Sequence, residues 1–87
     1  MTFRLVVARS ASRAISQELS ESVAAAAVEF MTGPLLANPQ RVGRPLRAPL
    51  NGRWSARRGQ YRIIYTIDIE GQIVTVLHIS HRRDSYR

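Results

Sequence analysis

The side chains best suited to chemistry in this 87-residue sequence are its arginines, thirteen of them with no lysine. A guanidinium group stays charged at every physiological pH. Its planar fork matches two oxygens of a phosphate, and its face stacks on aromatic rings and bases. Arg57, Arg62 and Arg82 lie in the C-terminal half, with Arg44, Arg47, Arg58, Arg83 and Arg87 around them. The sequence holds two histidines, His78 and His81. Tyr86 is the last aromatic residue, one position from the end of the sequence. Cysteine is absent, which removes disulfides and thiolate ligands. No carboxylates or histidines recur at metal spacing, and no glycine-rich phosphate loop is present. The residues therefore call for no metal and no cofactor.

The charge is unevenly distributed. Residues 1–40 hold three arginines and three glutamates, whereas residues 41–87 hold ten arginines against Asp68, Glu70 and Asp84. The whole net charge of +7 thus falls in the second half. A one-sided cationic surface on a small domain is the footprint of a polyanion binder. Codon usage explains part of the preference for arginine over lysine; it does not explain the excess over acids. Length limits the chain to one domain spanning residues 1–87. The longest apolar run, residues 23–28, is far too short to span a bilayer. The expectation is a soluble cytoplasmic protein with no membrane partner.

These side chains need a scaffold, and the apolar spacing supplies one. Residues 2–7 alternate as a strand. Ser10 is placed to cap a helix running to about Leu19. Ser20 caps a second helix with Val23, Ala24, Ala27, Val28 and Met31 on one face and Phe30 at its edge. Gly33-Pro34 ends it. Residues 38–52, with three prolines and two glycines, read as a loop. Its Arg41, Arg44 and Arg47 are either solvated connectors or a phosphate track beside a site. Residues 53–57, 60–68 and 72–80 follow as three strands with turns at Arg58-Gly59 and Glu70-Gly71. In the second, Tyr61, Ile63, Tyr65 and Ile67 face one way and Arg62, Ile64 and Thr66 the other. In the third, Ile73, Thr75, Leu77 and Ile79 oppose Val74, Val76 and His78. The predicted fold is α+β, in the order β-α-α-β-β-β. It has an antiparallel sheet, a three-strand C-terminal meander plus the N-terminal strand, with a helical hairpin on one face. The other face is left for a partner. Trp54 and Tyr65 read as core residues first, with surface contact a minority reading for Trp54.

Four segments carry a resemblance that covers nearly the whole length. They are residues 34–39 (Pro-Leu-Leu-Ala-Asn-Pro), 43–46 (Gly-Arg-Pro-Leu), 54–65 (Trp-Ser-Ala-Arg-Arg-Gly-Gln-Tyr-Arg-Ile-Ile-Tyr) and 81–87 (His-Arg-Arg-Asp-Ser-Tyr-Arg). The last two are the specific ones. On these residues the chain resembles the RelE toxins of the RelE/ParE toxin–antitoxin superfamily. The resemblance implies a type II toxin that enters the ribosomal A site and cuts mRNA there. It also implies a cognate RelB-like antitoxin that masks the active surface, and contact with operator DNA only through the antitoxin complex.

Within that resemblance the chemistry is metal-independent attack of a 2′-hydroxyl on its neighbouring phosphate. Such cleavage requires a base for the 2′-OH proton, cations for the developing charge and an acid for the leaving oxygen. Arg57, Arg62 and Arg82 are assigned to charge stabilisation. Tyr86 either stacks on a base, orients the hydroxyl or relays a proton, or else merely packs at the terminus. His81 either acts as the base or hydrogen-bonds in the tail; His78 reads as structural. Arg44, Arg47, Arg58, Arg83 and Arg87 are assigned to RNA binding. Family members often carry lysines on the strand before Gly-x-Tyr-Arg, where this sequence has Ser55 and Arg57. An arginine is a poor proton acceptor. Two alternatives stand beside the nuclease: a ParE-like toxin that inhibits DNA gyrase, and a catalytically degenerate RNA- or protein-binding module of the same fold.

Overall fold

The structure is a computed structural model and describes residues 2–81. Strand β1 (Arg4–Val7) leads into helix α1 (Arg9–Arg13), which begins after Ala8. Across Ala14–Glu18 this helix widens, so that Leu19 donates to the carbonyl of Ala14 at 2.9 Å, five residues back. Helix α2 (Glu21–Thr32) starts where the sequence marks it: the amide of Val23 donates to Ser20 Oγ at 3.3 Å. Glu21 adds negative charge at that positive end. Gly33 closes α2, and Pro34, which needs no amide partner in a first turn, opens the short α3 (Pro34–Ala37).

The remaining elements are strands: β2 (Arg44–Pro45), β3 (Trp54–Arg58), β4 (Tyr61–Asp68) and β5 (Ile73–His81). They form one sheet in the order β1-β5-β4-β3-β2. The β3–β4 hairpin turns on two residues, and Gly59 takes the φ of 53° that its first position needs. The expected meander is therefore present, within one turn residue of the expected bounds. Two details differ. β1 lies parallel to β5, pairing Arg4 with Ile73 and Val7 with Val76, so the sheet is mixed rather than antiparallel. The direction is set by the helical crossover that follows β1, which permits a parallel neighbour, and not by strand alternation. The loop also contributes an edge strand, β2, which pairs Arg44 with Ser55.

All helices pack on one face. Ala11, Ala14, Ala27, Phe30, Met31 and Leu35 meet Ala56, Ile63, Tyr65, Val74, Val76 and Ile79. The three alanines let the helices approach the sheet closely. In α2 the buried stripe is Ala27, Phe30 and Met31, while Val28 is exposed. The inward face is therefore rotated toward Phe30 relative to the expected one, because the bulky ring buries more apolar area than the valine. A bulge shifts β5 by one residue: Ile64 pairs with His78, but Tyr65 pairs with Val76. Leu77 is the extra residue. Its insertion brings Ile79 to the same side as Val74 and Val76, where simple alternation sets it opposite.

Candidate nucleic-acid interface

The uncovered sheet face is built from two cross-strand rows. Arg44, Ser55, Ile64 and His78 form one across β2, β3, β4 and β5. Arg57, Arg62 and Ser80 form the next. Arg57 and Arg62 are direct partners in an antiparallel ladder, so their side chains leave the same face side by side. Two of the three arginines assigned to one phosphate are thus brought together. The third, Arg82, lies outside the described residues, as do Arg83, Tyr86 and Arg87.

These residues border a cleft of about 670 Å³ between the sheet face and the loop before β3. Arg41 and Arg44 line it from the loop side; Arg57, Arg58 and Arg62 line it from the hairpin. Val42, Gly43, Leu46 and Ser55 complete the wall, which contains no carboxylate among the described residues. Five guanidinium groups with no counter-charge among the described lining residues make a concentrated positive field, suited to a phosphate backbone.

The loop is held in place by buried contacts. Tyr65 is fully buried, and its hydroxyl donates to the carbonyl of Pro39 at 2.6 Å. Gly43 passes so close to the sheet that a Cβ there would overlap the Tyr65 hydroxyl and stand 2.8 Å from the Ser55 carbonyl oxygen. The amides of Arg41 and Val42 both donate to Asn38, at 3.0 and 3.2 Å. Trp54 stacks on Tyr65 with ring centroids 6.4 Å apart. Both aromatics accordingly serve the core and the loop anchor. Burial pushes the Tyr65 hydroxyl up to about 12, against a smaller opposing pull from Arg58. Burial also raises Tyr61, whose hydroxyl donates to the carbonyl of Ala26 at 3.2 Å. Neither phenol is an acid or base near neutral pH.

The other assigned residues are placed as follows. Arg58 straddles the hairpin edge: it borders the cleft while its guanidinium lies 4.7 Å over the ring of Phe30 on the helix side. Arg47 sits in an exposed turn, its carbonyl accepting from Leu50, and is not part of the cleft wall. His81 pairs with Tyr61, on the side the helices cover. The bulge at Leu77 sets this phase, and the register does not bring His81 to the Arg57–Arg62 row. His78 reaches Ser10 Oγ at 3.0 Å through Nδ1, tying the start of α1 to the sheet, in keeping with a structural histidine. Arg41, which the sequence leaves open between a solvated connector and a phosphate track, lines the cleft. Its position is fixed by the approach of Pro39 and Gly43 to Tyr65, which depends on the tertiary fold. The cleft's described wall supplies cations and one hydroxyl, Ser55, but no group that exchanges protons near neutrality.

The sequence matches, over residues 7–86, the family described as ParE toxin of type II toxin–antitoxin system. It is 55% identical to toxin RelE of Mycobacterium tuberculosis over 71 residues, which is 82% of this chain and 73% of that one. It is 50% identical to toxin RelG of the same organism, over 80% of each chain. Among solved structures it is similar to the RelBE2 toxin–antitoxin complex of M. tuberculosis. The match has a TM-score of 0.91 and 41% identity, and covers 94% of this chain and all of that one.

Proposed function

The chain belongs to the RelE/ParE superfamily of type II toxins, as a RelE-type member, and from that premise we propose that it is a ribosome-dependent mRNA endoribonuclease. The observation that carries this reading is the Arg57–Arg62 pair, side by side on one sheet face in a cleft whose described lining holds no carboxylate. Two adjacent guanidinium forks hold the non-bridging oxygens of a phosphodiester. They also stabilise the extra negative charge that develops when the 2′-hydroxyl attacks. Arg82 and Tyr86, assigned from the family's C-terminal motif, complete the site. No metal is required, because the nucleophile belongs to the substrate.

Proton transfer does not come from the described cleft wall. The ribosomal A site, by fixing the mRNA in an attack geometry, relaxes the need for a strong base. The partner is a RelB-like antitoxin that covers the cationic face; a relative 41% identical to this chain was solved as a toxin–antitoxin complex. Operator DNA is contacted through that complex. Action on mRNA places the toxin in the cytoplasm.

Induction of the chain in cells tests this. Protein synthesis stops, and mRNAs are cut within codons on the ribosome. Arg62→Ala abolishes both with the fold intact. Full toxicity in Arg62→Ala overturns the site assignment. The matched family's ParE name gives the gyrase reading a place in the same experiment: a DNA-damage response with translation continuing rejects the nuclease.

A further inference from the structure

The cleft carries more positive charge than one phosphodiester needs. A single linkage bears one negative charge, and the Arg57–Arg62 pair already offers two forks to it. Arg41 and Arg44 add two more guanidinium groups from the loop and edge strand, with no carboxylate among the described lining residues. The cleft, about 670 Å³, is larger than one phosphate group fills.

The placement of Arg44 is defined by register. It pairs with Ser55, which lies two residues before Arg57 on the same strand and the same face. One row of the sheet, about 7 Å along the strands, therefore separates Arg44 from the Arg57–Arg62 row. That offset is on the scale of the step between successive phosphates of a single strand. The loop that presents Arg41 and Arg44 is also braced from beneath. The Tyr65–Pro39 hydrogen bond, the close passage of Gly43 over Tyr65 and the β2–β3 pairing fix its backbone. A bracing of this kind is unnecessary for a solvated connector. It is what holding charges at a set distance requires.

We infer that Arg41 and Arg44 form a second phosphate subsite, which grips the RNA backbone one step away from the linkage held by Arg57 and Arg62. The inference rests on the RNA-binding reading above. The two arginines act in binding and positioning. They select for a strand that continues past the linkage to be cut, and they read backbone rather than sequence.

The test uses the full chain and two 2′-O-methyl oligoribonucleotides, which cannot be cleaved: a dinucleotide with a single linkage and a pentanucleotide. Binding is measured over a salt series for wild type, Arg41→Gln/Arg44→Gln and Arg57→Gln/Arg62→Gln. Arg41 and Arg44 are exposed, so their replacement leaves thermal unfolding unchanged. For the pentanucleotide, the slope of log affinity against log salt falls by about 0.7 in Arg41→Gln/Arg44→Gln, the share of the one phosphate the subsite neutralises. Dinucleotide binding by that variant falls by a clearly smaller factor than pentanucleotide binding, since an offset near the Debye length of about 8 Å at 0.15 M salt leaves only partial coupling to the primary phosphate. An unchanged pentanucleotide slope overturns the second subsite, and so does equal weakening of both probes, which would put all four arginines on one phosphate. Arg57→Gln/Arg62→Gln reports separately on the primary site: if it leaves dinucleotide binding intact, the phosphate role of that pair fails whatever the loop variant does.

Discussion

Arg57 and Arg62 face each other across the β3–β4 ladder, a like-charged cross-strand pair where stability would favour an opposite-charged one. Directly opposed like charges destabilise a sheet, by an amount comparable to the roughly 0.2–1 kcal/mol that a favourable pair contributes. The repulsion serves no folding purpose, since Ala56 and Ile63, also paired, already bury that part of the hairpin. Arg62→Gln is therefore expected to leave the melting temperature unchanged or raise it slightly, while removing growth inhibition on induction. Calorimetry of the purified variant beside a plating assay checks both halves. A variant that melts well below wild type would show that Arg62 holds the structure together.

Gly43 tests the loop anchor. A methyl group at this position meets the Tyr65 hydroxyl and the Ser55 carbonyl, both fixed by the sheet. Neither can retreat, because Tyr65 is packed on all sides and Ser55 pairs with both neighbouring strands. Gly43→Ala is expected to cost about 1–3 kcal/mol, the usual penalty for overpacking a tight site. It also displaces Arg41 and Arg44 from the cleft. Urea unfolding gives the stability change. Gly59→Ala is the contrasting control: a Cβ there meets nothing within 4 Å, and the variant suffers only its positive φ of 53°.

The contrast between these sites explains how far the sequence could be read. The alternation in residues 61–67 identifies the core face of β4, since Tyr61, Ile63 and Tyr65 are buried while Arg62 and Ile64 between them are not. Ser20 announces α2 because its hydroxyl satisfies an amide three residues on, a local event. The parallel pairing of β1, the bulge at Leu77 and the approach of Pro39 and Gly43 to Tyr65 are not local. Each depends on which distant segments meet, and no periodicity records that. The same limit applies to the site. Arg57 and Arg62 could be put on one face by counting along a hairpin. The wall to which Arg41 belongs required a contact across 26 positions, from Pro39 to Tyr65.

Ser20 gives a prediction confined to stability. Its hydroxyl satisfies one free amide at the start of α2, far from the cleft. Ser20→Ala is expected to lower stability by about 0.5–2 kcal/mol, as cap removals do. Ser20→Asp, which retains an acceptor and adds charge at the positive helix end, restores it. Toxicity should follow protein abundance alone in both variants. A loss of activity in a stably folded Ser20→Asp protein would place α2 in the functional surface.

Tyr65 links the anchor to pH. Its hydroxyl is held near 12 in the folded chain because burial disfavours the phenolate, against an ordinary value of 10. A raised value of this kind favours the protonated native state. Its contribution is complete below about pH 10 and is lost as pH rises toward 12, where the unfolded chain ionises freely and the folded one resists. At about 1.36 kcal/mol per unit, the loss across that window amounts to roughly 2–3 kcal/mol. Tyr65→Phe removes the ionisation but also strips the buried Pro39 carbonyl of its donor, which costs about 1–3 kcal/mol at neutral pH. The variant is therefore less stable than wild type at pH 8. It then falls less steeply between pH 10 and 12, with Tyr61, also raised by burial, accounting for part of what slope remains. Urea midpoints for both proteins across that range measure the difference. Parallel curves would mean that the Tyr65 hydroxyl is not buried against Pro39, and the rigid presentation of Arg41 and Arg44 would lose its foundation.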